Sequence, residues 1–228
     1  MQEGHERGGD DTIVERAYAM RRDGQLLQAQ RLLEDAAKRY PRSPRVALAQ
    51  SDTAIQLNQF AVALRAARRG IATNRDAERA EWHLALLINA GTAARVLQRF
   101  DEAQEFLDTA FRIEEHHPLV NLQLASIAEQ TRRPEEAARF ALRAIANARK
   151  LPDSERRILL GASAILNAET VAPRATRTQR AVAAAVRIIC GDAALIVRRQ
   201  RLLRLFDLQL TPIERRAAGT LTHLLGSA

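Results

Sequence analysis

The acidic and imidazole run Glu114-Glu115-His116-His117 carries the residue types that bind metal ions. A metal site also needs further ligands at a defined spacing, and the sequence has no second cluster that supplies them. The run lies directly before Pro118, where an exposed turn after a helix is the better interpretation. The sequence therefore predicts no metal site.

Cys190 and His223 are the candidates for a nucleophile and a general base in the C-terminal part. Covalent catalysis needs both groups within hydrogen-bonding reach, and nothing in the sequence places these two together. A phosphate-binding glycine loop is absent from the sequence as well. We therefore predict a chain that is not an enzyme, with no catalytic residues and no cofactor.

The strongest pattern is a triplet of small residues that recurs four times, with internal spacings of 12 and 7. Successive triplets are offset by 34, 40 and 34 residues, so the period is 34 with one insertion of six. Paired helices approach closely only where small residues stand at the crossing. The pattern predicts helical hairpins that repeat along the chain. The triplets are Ala17, Ala29, Ala36; Ser51, Ala63, Gly70; Gly91, Ala103, Ala110; and Ala125, Ala137, Ala144.

The 34-residue period and two segments, Gly24-Gln25-Leu26-Leu27-Gln28-Ala29 and Arg99-Phe100-Asp101-Glu102-Ala103, resemble the tetratricopeptide repeat (TPR) family over residues 10–152. The resemblance implies an all-α fold, a superhelical solenoid of about four helical hairpins followed by C-terminal capping helices. The expected divisions are a disordered polar leader over 1–10, repeats near 10–43, 44–77, 84–117 and 118–151, and a basic helical extension over 153–228. That extension is either a degenerate fifth repeat and cap or a separate binding domain.

The resemblance also implies a concave groove lined by the first helix of each repeat. Its apolar floor and arginine-rich first half would suit a protein or peptide with apolar anchors and acidic residues. A second copy of the chain is another candidate partner. The predicted groove residues are Val14, Tyr18, Arg21, Arg22, Arg45, Leu48, Asp52, Ile55, Ile88, Thr92, Arg95, Leu122, Ser126 and Glu129.

The positive charge of the chain is concentrated near its C-terminus. Of a net charge of +8, residues 151–228 contribute 12 basic against 6 acidic side chains. An amphipathic helix from Ala193 to about Leu210 is predicted there, and such a basic helix can bind nucleic acid, an acidic partner or a membrane surface. The absence of interleaved aromatic residues argues against lipid and stacked bases, and docking on the rest of the chain is the simpler role. The basic residues are Arg198, Arg199, Arg201 and Arg204.

The sequence favours an adaptor, assembly factor or chaperone-like scaffold that binds a partner segment in the groove. A nucleic-acid-binding or regulatory protein that uses the basic tail is the first alternative, and the repeat domain of a larger enzyme is the second. One cysteine excludes an intramolecular disulfide, and no segment is apolar enough to be a signal or a membrane span. We expect a cytoplasmic, bacterial protein.

Overall fold

The computed structural model describes residues 3–74 and 80–147, and the chain divides into two compact units, the first ending at Ile113 and the second beginning at Glu114. Every regular element in these ranges is an α-helix, which confirms the predicted all-α class. The predicted C-terminal extension, including the four arginines of its basic helix, lies outside the described residues. The helices are α1 (Glu3–Arg22), α2 (Leu26–Arg39), α3 (Pro44–Gln56), α4 (Phe60–Thr73), α5 (Ala80–Val96), α6 (Phe100–Ile113), α7 (Pro118–Gln130) and α8 (Pro134–Asn147).

The first unit contains three consecutive helical hairpins. Each helix packs against the next one along the chain, and α3 also packs against both α1 and α5. The first helices of the three hairpins, α1, α3 and α5, are therefore neighbours. In the second unit, α7 and α8 form one further hairpin.

The small-residue pattern lies where the helices pack. All twelve of its members are buried, and nine of the ten alanines and serines are completely inaccessible to solvent while Ala36 keeps 1%. Two positions have no room even for a methyl group. A Cβ built on Gly91 would lie 2.5 Å from Cγ of Leu107, and one built on Gly70 would lie 2.6 Å from Cδ2 of Leu86. Glycine is thus required at these helix crossings by close packing.

The turn inside each hairpin has the same geometry in all four cases. The residue after the helix cap has a left-handed backbone, with φ between 57° and 76°. At the first turn, the amide of Gly24 donates to the Arg21 carbonyl and that of Gln25 to the Met20 carbonyl, which is a Schellman motif. The same pair of bonds recurs at the other three turns, whose left-handed residues are Asn58, Gln98 and Arg132.

The leader over residues 1–10 is expected to be disordered, and residues 3–10 form the first part of α1 in the described structure. Asp10 and Asp11, near the middle of α1, contact the start of α3. The Ser43 hydroxyl donates to Asp10 Oδ2 at 2.6 Å, and Arg45 forms an ion pair with Asp11. Ser43 also caps α3, because its Oγ accepts a hydrogen bond from the Val46 amide at 3.1 Å.

Candidate protein-interaction surface

The three neighbouring first helices of the first unit present one continuous side, which we call the helix-A face. It consists of three rows, each with one residue from α1, α3 and α5 at equivalent repeat positions. The first two rows are half-buried and the third is exposed. The rows are Tyr18, Asp52 and Thr92; Arg21, Ile55 and Arg95; and Arg22, Gln56 and Val96.

A fourth row at equivalent positions, Val14, Leu48 and Ile88, was predicted to line the groove. The structure corrects this assignment, because the three side chains are only 0%, 8% and 9% exposed. Val14 belongs to the hydrophobic core together with Ala17 and Leu33. This row supports the helix-A face from beneath, and the residues available to a partner lie in the other three rows.

Asp52 is the centre of a hydrogen-bonded cluster on the helix-A face. Asn89 Nδ2 donates to Asp52 Oδ1 at 2.6 Å and also to Ser51 Oγ at 2.8 Å. From the other side, Arg21 Nη1 lies 3.5 Å from Asp52 Oδ2, and the Tyr18 hydroxyl donates to the same carboxylate. The cluster therefore links α1, α3 and α5 through polar side chains.

Burial sets the electrostatics of this cluster. It raises the pKa of Asp52 above its usual value, although the hydrogen bond from Asn89 and the charge of Arg21 oppose the shift. Burial and the nearby Asp52 carboxylate raise the pKa of Tyr18 to about 12, so its hydroxyl remains a donor at neutral pH. The Arg21 guanidinium carbon also lies 5.0 Å from the centre of the Tyr18 ring, in a cation–π contact.

The arginines of the predicted groove are mostly engaged within the chain. Arg45 forms ion pairs with Asp11 and Glu15, and Arg21 donates to Gln56 Oε1 at 3.4 Å in addition to its contact with Asp52. Arg22, in contrast, is exposed at the end of α1. In the arginine-rich first half of the predicted groove, Arg22 is therefore the one exposed cation.

Three predicted groove residues, Leu122, Ser126 and Glu129, lie on α7 in the second unit, where all three are half-buried. The Ser126 hydroxyl donates to the Leu122 carbonyl at 3.0 Å. The start of α7 is fixed by Asn121, whose Nδ2 donates to the Glu115 carbonyl at 2.8 Å and to the His117 carbonyl at 3.0 Å.

Neither a metal site nor a membrane span is found in the part of the chain that the structure describes. Over residues 3–74 and 80–147, no three His, Cys, Asp or Glu side chains are grouped so that they could hold a metal ion. No helix within these ranges is both long and apolar enough to cross a bilayer.

No protein-family model and no curated protein matches the sequence. Two solved structures are similar in fold. The MamA protein structure has a TM-score of 0.58 and 12% identity, covering 89% of this chain and 98% of that one. PilF from Pseudomonas aeruginosa has a TM-score of 0.57 and 16% identity, covering 98% of this chain and 93% of that one. Both are TPR proteins. The present fold is TPR-like.

Two members of the Asp52 cluster, Ser51 and Asn89, were not among the predicted groove residues of this TPR-like fold. A sequence signal for Asn89 exists, because it is a single amide in the apolar run Leu86-Leu87-Ile88-Asn89-Ala90. A polar side chain in such a run needs a hydrogen-bond partner. Ser51 was recognised only as a small residue of the packing pattern, and its hydroxyl also donates to the Leu48 carbonyl at 2.8 Å.

Proposed function

We propose that this chain is a non-enzymatic protein-interaction scaffold that binds an extended segment of a partner along the helix-A face of its first unit. The observation that carries the proposal is the arrangement of the three rows. Two half-buried rows lie over the buried row of Val14, Leu48 and Ile88, and the third row is exposed. The TPR-like fold supports a role in protein interaction in general. The proposal adds a location for the binding surface, the helix-A face.

The dimensions of the face set the length of the segment. Neighbouring helices pack about 8–10 Å apart, so the distance from α1 across α3 to α5 is about 16–20 Å. An extended chain advances about 3.3–3.6 Å per residue. A partner segment that spans the face therefore has about five or six residues.

The exposed row gives the segment a direction. It runs from the cation Arg22 through the amide of Gln56 to the apolar Val96, which is 39% exposed. A complementary segment carries an acidic residue over α1 and an apolar residue over α5. The half-buried Ile55 between them adds apolar area under the middle of the segment.

The test should change exposed residues and leave the internal pairs intact. Arg21→Glu would place a second carboxylate against Asp52, and Arg45→Glu would oppose Asp11, so both variants would disturb the fold. Arg22→Glu and Val96→Asp avoid this, because both side chains are exposed. Leu27→Asp is a matched control, since Leu27 is 62% exposed and lies on α2, away from the helix-A face.

The experiment is selection of a random six-residue peptide library on the full chain, followed by anisotropy titrations of the selected peptides. We expect peptides with one acidic and one apolar residue four or five positions apart. Their affinity should fall at least tenfold with Arg22→Glu or Val96→Asp and stay unchanged with Leu27→Asp. Peptides that bind all four proteins equally would refute the assignment of the surface.

The concentration of charge in residues 151–228 favours a second candidate function, nucleic-acid binding through Arg198, Arg199, Arg201 and Arg204. Phosphate contacts make affinity fall steeply with salt, whereas burial of apolar side chains does not. Titration of the full chain with a labelled DNA duplex at two salt concentrations, with and without replacement of the four arginines by alanine, separates the two functions.

A further inference from the structure

A cleft of about 400 Å³ lies between α2 and α4 in the first unit. Its lining includes three cationic side chains, Lys38, Arg65 and Arg69, and one carboxylate, Glu34. Gln50 of α3 also lines the cleft, but none of the lining residues belongs to the three rows of the helix-A face. Its volume is within the range of about 300–1,000 Å³ found for small-ligand pockets.

Two of the cations have no counterion among the residues that the structure describes. Of the residues that the structure describes, no carboxylate lies within ion-pairing distance of Arg65 or Arg69, while Lys38 pairs with Asp35 at 3.0 Å. Arg69 is half-buried, and its Nη2 donates to the buried Gln50 Oε1 at 2.8 Å. A cation that is partly removed from water without an opposite charge is unfavourable unless an anion compensates it.

The repeat register explains why the cleft is open here. In the next pair of second helices, an ion pair between Arg68 on α4 and Glu102 on α6 connects the two elements. The equivalent residues around the cleft are Glu34 and Val62, which cannot form an ion pair. Glu34 instead accepts a hydrogen bond from Gln30 on its own helix at 3.0 Å.

Arg69 is also specific to this cleft, since the equivalent position in the third hairpin is Thr109. Its Nε is buried with no hydrogen-bond partner. Burial lowers the pKa of Arg69 from its usual value, but an arginine remains charged at neutral pH. A charged, partly buried arginine that has no counterion within residues 3–74 and 80–147 therefore lies at one wall of the cleft.

We infer that the cleft between α2 and α4 is an anion-binding site, in which Arg69 and Arg65 bind the oxygens of a carboxylate or phosphate group. Arginine is suited to this role because its planar group donates two parallel hydrogen bonds to such oxygens. Gln50 holds the Arg69 guanidinium in position. Glu34 opposes the anion and limits its affinity. The site is independent of peptide binding on the helix-A face.

The test is an NMR titration of the full chain, at constant ionic strength in chloride, that follows the Gln50 side-chain amide. One arm adds inorganic phosphate, and the other adds a blocked tri-glutamate peptide. We expect saturable shifts in at least one arm, with affinity at least about tenfold weaker in Arg69→Gln and several-fold stronger in Glu34→Gln. Tighter binding of phosphate identifies a free oxyanion as the ligand, and tighter binding of the peptide identifies an acidic chain.

Arg16→Gln is the matched control, because Arg16 is exposed on α1 and has no ion pair within the described residues. It removes the same charge far from Gln50 in sequence and should leave the titration unchanged. Non-saturable shifts, or equal weakening by Arg16→Gln and Arg69→Gln, would overturn the site in favour of general charge attraction. Saturable binding that persists in Arg69→Gln would also overturn it. Helical circular dichroism checks that each variant is folded.

Discussion

Replacing Gln98 by glycine should stabilise the first unit. Gln98 has φ 60° in the turn between α5 and α6, and its exposed side chain makes no hydrogen bond or ion pair in the described structure. A left-handed backbone costs a residue with a Cβ about 1–2 kcal/mol relative to glycine. Glycine in turn adds about 0.4–1 kcal/mol of conformational entropy to the unfolded chain. With the middle of each range, the net gain in the free energy of unfolding is about 0.8 kcal/mol.

Urea unfolding followed by the fluorescence of Trp82 is the assay, since the single tryptophan lies on α5. With a urea dependence of about 2 kcal/mol per molar, the midpoint should rise by about 0.3–0.5 M. The same change at Asn58 should gain less, because asparagine tolerates the left-handed region better than glutamine. Gly24→Ala should lower the free energy of unfolding, because Gly24 also has a left-handed backbone, which strains a residue with a Cβ.

Gln28→Gly is the matched control, because Gln28 is exposed but has helical backbone in α2. There glycine should lower the free energy of unfolding by up to about 1 kcal/mol. The same chemical substitution is thus expected to act in opposite directions at positions 98 and 28. A midpoint that falls at both positions would refute the left-handed turn at Gln98 and the strain assigned to it.

Three further predictions concern packing, titration and capping. Gly91→Ala should lower the free energy of unfolding by about 1–2 kcal/mol in the same assay, because overpacking against Leu107 outweighs the better helix propensity of alanine; an unchanged midpoint would contradict the close crossing. Asn89→Ala should raise the folded-state pKa of Asp52 further in a carboxyl NMR titration, because the hydrogen bond from Asn89 lowers that pKa. The stability that Asp52 contributes when protonated should be lost as pH rises through the folded-state pKa. A fall in the pKa would refute the assigned hydrogen bond. Ser43→Ala should cost about 1 kcal/mol in thermal unfolding, whereas Ser43→Asn should retain most of the capping, because its amide oxygen can accept from Val46 and it places no second carboxylate beside Asp10.

The helical hairpins could be predicted from sequence because their packing depends on residue size at fixed spacing. Ala17 and Ala29 belong to the small-residue pattern of the sequence, and both are buried, because only a small side chain fits where two helices cross. The start of α1 could not be predicted in this way. Residues 3–10 look like a polar leader locally, and the contacts of Asp10 with Ser43 and of Asp11 with Arg45 join positions more than 30 residues apart.

The repeat positions define the candidate surface, and binding of a partner there stays a prediction. Repeat positions indicated which side of α3 would carry Asp52 and Ile55, and both lie on the helix-A face. The pairing of Arg45 with Glu15 could not be read from the sequence, because it depends on which side chains face each other across two helices. Internal ion pairs therefore determine which charged side chains are free to contact a partner, and amino-acid composition does not show these pairs.

Site-specific photo-crosslinking tests the proposed binding surface most directly. A photoreactive amino acid is placed at Gln56 or Val96 on the exposed row, or at Leu27 on α2 as the control position, and the crosslinked partner segment is identified by mass spectrometry. We expect Gln56 and Val96 to capture the same short segment and Leu27 to capture none of it. Equal capture from Leu27, or different segments from Gln56 and Val96, would contradict binding along the helix-A face.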